Sequence, residues 1–388
     1  MKSAQWSDLP DELLSAIYLK ITGLLHRVRF AATCRSWRAA AIGSRHEVPP
    51  ALPWLVYSDC KYDHDHDDDH HNNRMKCVYC PEDGGVLRIR LPSEAIDKDL
   101  VGSYDDGWVF MKGPNRELAA VNLFSGIEVP LPANNMRSLR KVVVSKSPTS
   151  SGCIIAATHS NGIALCGIGY LDNGWRIKRT DGPRLLDIIF YNGELYGITT
   201  RQLLKFEIGQ NKAGGPVVIG EPCRLQIRMC NAPFVYPNYI VELHGKLALV
   251  ARTWHGISGE PSFKVFKLVD DSTTGNAGMW EEVMSLGDST LFLGGKWSKA
   301  VYIPTTGRGE VQRSCVYADD AAYLTRRGKV WRSCVYADDV TYLTSFDGHG
   351  DSAYPLQESN SVMSRIKSMG RSYVVVRWPG IWILPPNF

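Results

Sequence analysis

The sequence predicts a mainly β protein: a three-helix module at the N-terminus, followed by a kelch-like β-propeller of six or seven blades, six being preferred. Three observations carry this. Apolar residues at helical spacing are confined to the first stretch of the chain, up to Ile42. From residue 51 onward the chain breaks into short β-rich runs bounded by Gly, Asn, Asp and Pro. Strand–turn–strand units recur at a period of about 50 residues, the spacing of four-stranded kelch-type blades.

The bulk numbers narrow the class. With 388 residues, 44% hydrophobic and 22% charged, the chain has ample material for a globular core. The net charge of +4, from 44 basic and 40 acidic residues, comes without a concentrated basic stretch and points away from nucleic acid. No apolar run approaches the roughly 18 residues of a membrane span. Residues 1–25 do not read as a secretory signal. The ten cysteines are scattered, so reduced thiols and a cytoplasmic or nuclear location are expected.

The helices come first. Pro10 suits the first turn of a helix, and Asp8 lies near its N-cap position. Asp11 and Glu12 put negative charge at the positive end of the dipole. Leu13, Leu14, Ile17, Tyr18 and Ile21 then fall within an arc of roughly 140°. Gly23 is expected to end this helix. A second helix is expected over 25–32, with Val28 and Ala32 on one face. A third runs from about 35 to 42, with Cys34, Trp37 and Ala41 on one face and Gly43 as C-cap. The first stripe is wide for a short helix, and below roughly 40 residues a chain rarely builds a sufficient core alone. The module is therefore either a cap on the main body or a docking unit with apolar surface to spare.

The body comes next. Strands are expected at 54–58, 86–91, 108–112, 118–122, 140–145, 153–158, 163–167, 175–179, 185–191, 194–199, 203–208, 239–243, 246–252, 263–269, 280–283 and 373–376. Residues 187–199 and 239–250 each read as strand, two-residue turn, strand, with Asn192-Gly193 and His244-Gly245 at the turns. Asp106-Gly107 and Asn161-Gly162 mark similar turns. An irregular pair of β-sandwiches is the alternative architecture.

Particular residues go further than pattern. Trp6-Ser7-Asp8-Leu9-Pro10, Glu12-Leu13-Leu14, Arg27-Val28-Arg29-Phe30 and Cys34-Arg35-Ser36-Trp37-Arg38 together resemble the F-box of plant F-box proteins. The body is similar to the KIB-type propeller that follows such F-boxes. It shares Cys77-Val78-Tyr79-Cys80, Arg88-Ile89-Arg90-Leu91-Pro92, Asn122-Leu123-Phe124-Ser125-Gly126, the run from Ser285 to Gly294, and the closing Trp378 to Pro386. The resemblance implies an F-box over 4–45 and a substrate-recognition propeller over 51–388. It implies that Leu9, Pro10, Leu13, Leu14, Ile17, Val28 and Cys34 lie at or near the surface that meets a Skp-type adaptor, and through it a cullin, with some of them internal to the helices. Trp37 would hold the helices together. The propeller would recruit a protein substrate, and the chain would be a non-catalytic subunit of a ubiquitin ligase. An F-box scaffold or inhibitor without ubiquitin transfer, and a propeller enzyme with a helical cap, are the alternatives. Partners from the nucleic-acid or membrane classes are not expected, and no cofactor is.

Other features are weighed and set lower. No Gly-x-Ser-x-Gly, P-loop or His-Glu-x-x-His motif is present, so no catalytic residue is assigned. Residues 59–71 are rich in His and Asp, with Cys77 and Cys80 behind them. The types suit a metal, but a solvated acidic insertion is the expected reading. Trp254 and His255 are expected in an inter-strand loop before Gly256, as a minor candidate for partner recognition. Residues 313–325 recur almost unchanged as 332–344. One copy is expected to fill the blade position and the other to form an extra hairpin strand or an extruded loop.

Overall fold

The computed structural model describes residues 6, 9–21, 23–48, 51–58, 75–80, 85–90, 98–113, 115–132, 139–159, 162–180, 182–229, 236–255, 260–269, 279–303, 313–324, 330–337, 340–345, 352–355 and 381–386. The three helices are α1 (Asp11–Lys20), α2 (Leu24–Ala31) and α3 (Arg35–Ser44). Pro10 is the N-cap of α1, with the extended ψ of 146° that proline favours. Asp8 lies outside the described residues. Gly23 does not end α1; it is the N-cap of α2. The first helix stops earlier because Ile21 turns extended and its carbonyl accepts a 2.9 Å bond from Arg27 Nε. Gly43 likewise sits inside α3, which runs on to Ser44 with Arg45 as C-cap.

The helices build a small core of their own. Leu14, Tyr18, Phe30, Ala40 and Ala41 are buried together. The Phe30 ring lies 5.4 Å from Tyr18 and 4.5 Å from Trp37, so Trp37 does hold helices together. Burial pushes the Tyr18 phenol above its ordinary pKa, against the pull of the Arg27 guanidinium.

Five sheets carry the four-stranded antiparallel meander of a propeller blade. From inner to outer strand, blade 1 is Ile381–Ile383, Trp54–Ser58, Met75–Cys80 and Gly85–Arg90. Blade 2 is Asp99–Tyr104, Trp108–Lys112, Leu118–Asn122 and Glu128–Leu131. Blade 3 is Val142–Val144, Cys153–His159, Gly162–Ile168 and Arg176–Arg179. Blade 4 is Asp187–Tyr191, Glu194–Ile198, Gln202–Phe206 and Cys223–Gln226. Blade 5 is Tyr239–Leu243, Lys246–His255, Glu260–Val269 and Met279–Glu282, with Arg228–Met229 added at its edge.

Among the described residues the regular count is thus five, where six or seven are expected from the sequence. The sixth position holds a six-stranded sheet in which Ser289–Gly294 pairs parallel with Cys315–Leu324, unlike any meander. The duplicated segment explains the excess. Its first copy, in Cys315–Leu324, pairs antiparallel with the second, in Val330–Ala337, and the second turns back into Val340–Ser345. The expected strand at 373–376 lies outside the described residues, as does the His/Asp run at 59–71.

The ring closes through the C-terminus. Ile381–Ile383 joins blade 1 as its innermost strand beside Trp54–Ser58. Gly107 N–H donates to Leu384 O at 2.7 Å, and Ser103 Oγ donates to Trp382 O, which ties the closing strand to blade 2. Trp382 Nε1 donates to Leu293 O at 3.1 Å in the sixth sheet.

The core is a series of inter-blade layers. Phe110, Ile155 and Cys166 fill the space between blades 2 and 3; Leu165, Ile188 and Phe206 that between 3 and 4; Ile198, Ile240 and Phe266 that between 4 and 5. Each blade is therefore covered on both faces. This is why its strands read as near-continuous apolar runs such as Leu118–Asn122 rather than as alternations.

The meander sorts the loops of the five blades onto two faces. Turns between inner and second strands lie on one face. There Asp106-Gly107, Asn192-Gly193 and His244-Gly245 all have the positive φ that a tight hairpin needs. The chain enters the propeller at Trp54 on this same face, so the helices attach here. Turns between second and third strands, and links from one blade to the next, lie on the opposite face. Gly162 belongs there and is not a turn residue: it opens a strand, opposite His159. A Cβ on Gly162 would stand 2.1 Å from Lys178 O, which is why glycine is required. Trp254 and His255 also differ from expectation: the strand Lys246–His255 includes them, because its pairing with Glu260–Val269 runs to the hairpin end.

Candidate functional site

The candidate site is the outer surface of the helical module. At 100° per residue, Pro10, Leu13 and Ile17 fall within about 60° of one another on α1. Leu13 is 52% exposed and Ile17 38% exposed, although both side chains are apolar. Pro10 is exposed beside them. Leu14 and Tyr18 lie on the adjoining arc and are wholly buried. The stripe read from the sequence is therefore two surfaces: one closes the helical core, and the other stays bare.

The remaining positions divide the same way. Leu9 is half-buried and packs against the helical core. Val28 and Cys34 are half-buried. Cys34 is the N-cap of α3, with Sγ 3.1 Å from Ser36 Oγ. That hydroxyl, with the Trp37 backbone, holds the thiol below its ordinary pKa. Leu14 has no exposed surface to offer a partner and serves the interior. Conversely, Trp6 at 75%, Leu19 and Ile42 are exposed apolar residues on the module that the stripe did not single out. Trp6 had a signal, since it opens the motif; its carbonyl accepts a 3.1 Å bond from Trp37 Nε1.

The module is fixed to the propeller. Leu24 of α2 is 1% exposed and belongs to the apolar cluster of Ala51, Leu52, Trp54 and Trp382. The bare strip on α1 thus projects from a buried anchor. Among the described residues no cluster of three or more His, Cys, Asp or Glu side chains is placed to hold a metal ion. Among them, no helix is long and apolar enough to cross a membrane.

Three helices with a bare apolar strip, set ahead of a ring of five antiparallel blades and a sixth, mixed sheet, define the class: an F-box protein that carries a β-propeller. Residues 78–339, more than half of the chain, match the family model described as KIB1-4 beta-propeller, and the chain belongs to that family. It is 26% identical over 337 residues to the F-box/kelch-repeat protein At1g57790 of Arabidopsis thaliana, covering 81% of this chain and 87% of that one. It is 27% identical over 152 residues to the F-box protein At3g56470 of the same plant, covering 38% of this chain and 36% of that one. Among solved structures, YCF48 bound to D1 peptide matches with a TM-score of 0.34 and 12% identity, over 77% of this chain and 96% of that one.

Proposed function

We propose that this chain is the substrate-recognition subunit of a Skp–cullin–F-box ubiquitin ligase. The helices bind the Skp-type adaptor, and the propeller holds a target protein. The observation that carries this is the placement of Leu13 and Ile17: the helical core closes without them, and they stay exposed on one strip of α1. An apolar strip of this kind is stabilised when a second molecule covers it. Such a subunit breaks and makes no bonds itself. It raises the effective concentration of a target lysine near the ubiquitin-loaded enzyme.

The test is affinity capture from plant cells with the proteasome blocked, using the intact chain and one lacking residues 1–45. A captured client is then offered to purified adaptor, cullin and ubiquitin-transfer enzymes. Ubiquitin should reach the client only with the intact chain. A client bound by both forms and modified with neither supports the scaffold reading instead.

A further inference from the structure

The face of the propeller opposite the helices carries four arginines at the strand ends and connections of the adjacent blades 3 and 4. Arg140 stands just before the innermost strand of blade 3, its N–H donating to Thr158 O at 3.3 Å. Arg179 ends the outermost strand of that blade, opposite Gly162, which is in turn opposite His159. Arg140 and Arg179 therefore mark the two ends of one row across the blade's rim. Arg184 precedes the innermost strand of blade 4. Arg201 lies in that blade's second-to-third turn, its carbonyl accepting a 2.9 Å bond from Ile227 N–H. The buried ion pair of Lys141 with Asp187 joins the starts of the two innermost strands, so the two rims are held side by side.

All four arginines are exposed. Among the described residues their guanidinium groups make no ion pair or hydrogen bond. Other basic residues of these two blades are paired: Lys178 with Glu221, Arg176 with Asp172, Lys205 with Glu194. Asp187, which opens the innermost strand of blade 4, is buried and committed to Lys141. Among the described residues the rim of blades 3 and 4 is thus positive without compensation, within a chain whose overall charge is nearly balanced.

We propose that this rim docks an Asp/Glu-rich segment of the recruited protein. The inference rests on the recruiting role proposed above. Guanidinium forks match carboxylates in bidentate geometry, and exposed charge steers encounter. Four arginines are a local patch rather than the broad basic field that nucleic acid requires, which favours an acidic polypeptide. The location leaves the helical face free, so adaptor and target can be held together.

The test uses the full chain and fluorescence anisotropy. The probes are a fluorescein-labelled peptide of alternating Glu and Gly, its Gln/Gly counterpart, and an oligothymidylate of equal charge. The unaltered chain should bind the Glu/Gly peptide best, and more weakly as salt rises. Replacing Arg140, Arg179, Arg184 and Arg201 together by Gln should weaken binding by roughly tenfold or more, from about two- to fivefold per exposed pair. Replacing them by Lys should give an intermediate loss, since the charge survives and the bidentate fork does not. Replacing Arg45, Lys146, Lys212 and Lys246, exposed basic residues outside the rim, by Gln should change it less than about twofold. Equal loss in both Gln sets, equal binding of the Gln/Gly peptide, or tighter binding of the oligothymidylate overturns the proposal. Failure here leaves adaptor binding by α1 intact, whereas failure of the ligase reading leaves peptide binding intact, so the two are distinguishable.

Discussion

Removing the ammonium from the buried clasp between blades 3 and 4 should be costly. The Lys141 and Asp187 side chains are 6% and 3% exposed. The Asp187 carboxylate also accepts N–H bonds from Ile188 at 2.8 Å and Ile240 at 3.0 Å. It therefore ties the inner strands of blades 3, 4 and 5 at one point. Burial pushes this carboxyl above its ordinary pKa, while the ammonium and the two N–H groups pull it down. Lys141→Met keeps most of the stem volume and leaves the carboxylate buried without its counter-charge. Breaking one side of a buried pair costs about 3–5 kcal/mol. The two surviving N–H bonds to a charged acceptor keep the loss near the lower end, about 3 kcal/mol. The sign of the pH dependence follows. In the variant the folded-state pKa of Asp187 rises further above the unfolded value of about 3.9. A carboxyl raised on folding favours the native state below its unfolded pKa and loses that contribution as pH climbs. The penalty is therefore largest near neutrality and shrinks on acidification. Urea unfolding followed by tryptophan fluorescence measures it as a lower midpoint at unchanged slope. A loss below about 1 kcal/mol at neutral pH, or a loss that grows on acidification, refutes this assignment.

Three further outcomes are expected. Leu14→Ala empties the middle of the helical core and should cost about 2–5 kcal/mol, read by hydrogen exchange in α1 and α3. Propeller amides should keep their protection, because Leu14 belongs to the helical cluster. Deleting residues 381–388 removes the innermost strand of blade 1 and its bonds to Gly107, Ser103 and Leu293. The truncated chain should lose cooperative unfolding, and a sharp transition at the original temperature would contradict closure by this strand. The Asn211 amide, the Arg176 guanidinium and Gly174 N–H hold the Asp172 carboxyl below its ordinary pKa. The stability it contributes is present above the unfolded pKa and lost as pH falls through the lower folded one. Asp172→Asn should therefore differ from the unaltered chain at neutral pH and converge with it in acid.

What the sequence disclosed depended on whether the cause was local. Asn192-Gly193 and His244-Gly245 declare their hairpins because positive φ is a requirement of those two residues alone. The inner and second strands of blades 4 and 5 were legible for the same reason, whereas the inner strand of blade 2, Asp99–Tyr104, is not among the expected strands. Asn161-Gly162 looked alike but serves a different need, a close approach to Lys178 that only the folded blade creates. Gly23 and Gly43 read as helix stops, yet the stops are set by a side-chain bond from Arg27 and by packing of α3. Leu13 and Leu14 are one residue apart on a single stripe, and only the position of α2 and α3 decides which is covered. The duplicated segment upset the blade count because its second copy pairs with its first. The arginine rim had no sequence signal, since its members flank three separate connections.

Measuring the affinity of a purified plant Skp-type adaptor for the full chain and for a Leu13→Asp/Ile17→Asp variant tests the central claim most directly. Half-exposed Leu and Ile should each bring about 1 kcal/mol when covered, and a buried uncompensated carboxylate adds several more to the loss. The variant should therefore bind at least about 100-fold more weakly while melting at the same temperature. Equal affinity for the two proteins would mean that the bare strip on α1 is not where the adaptor sits.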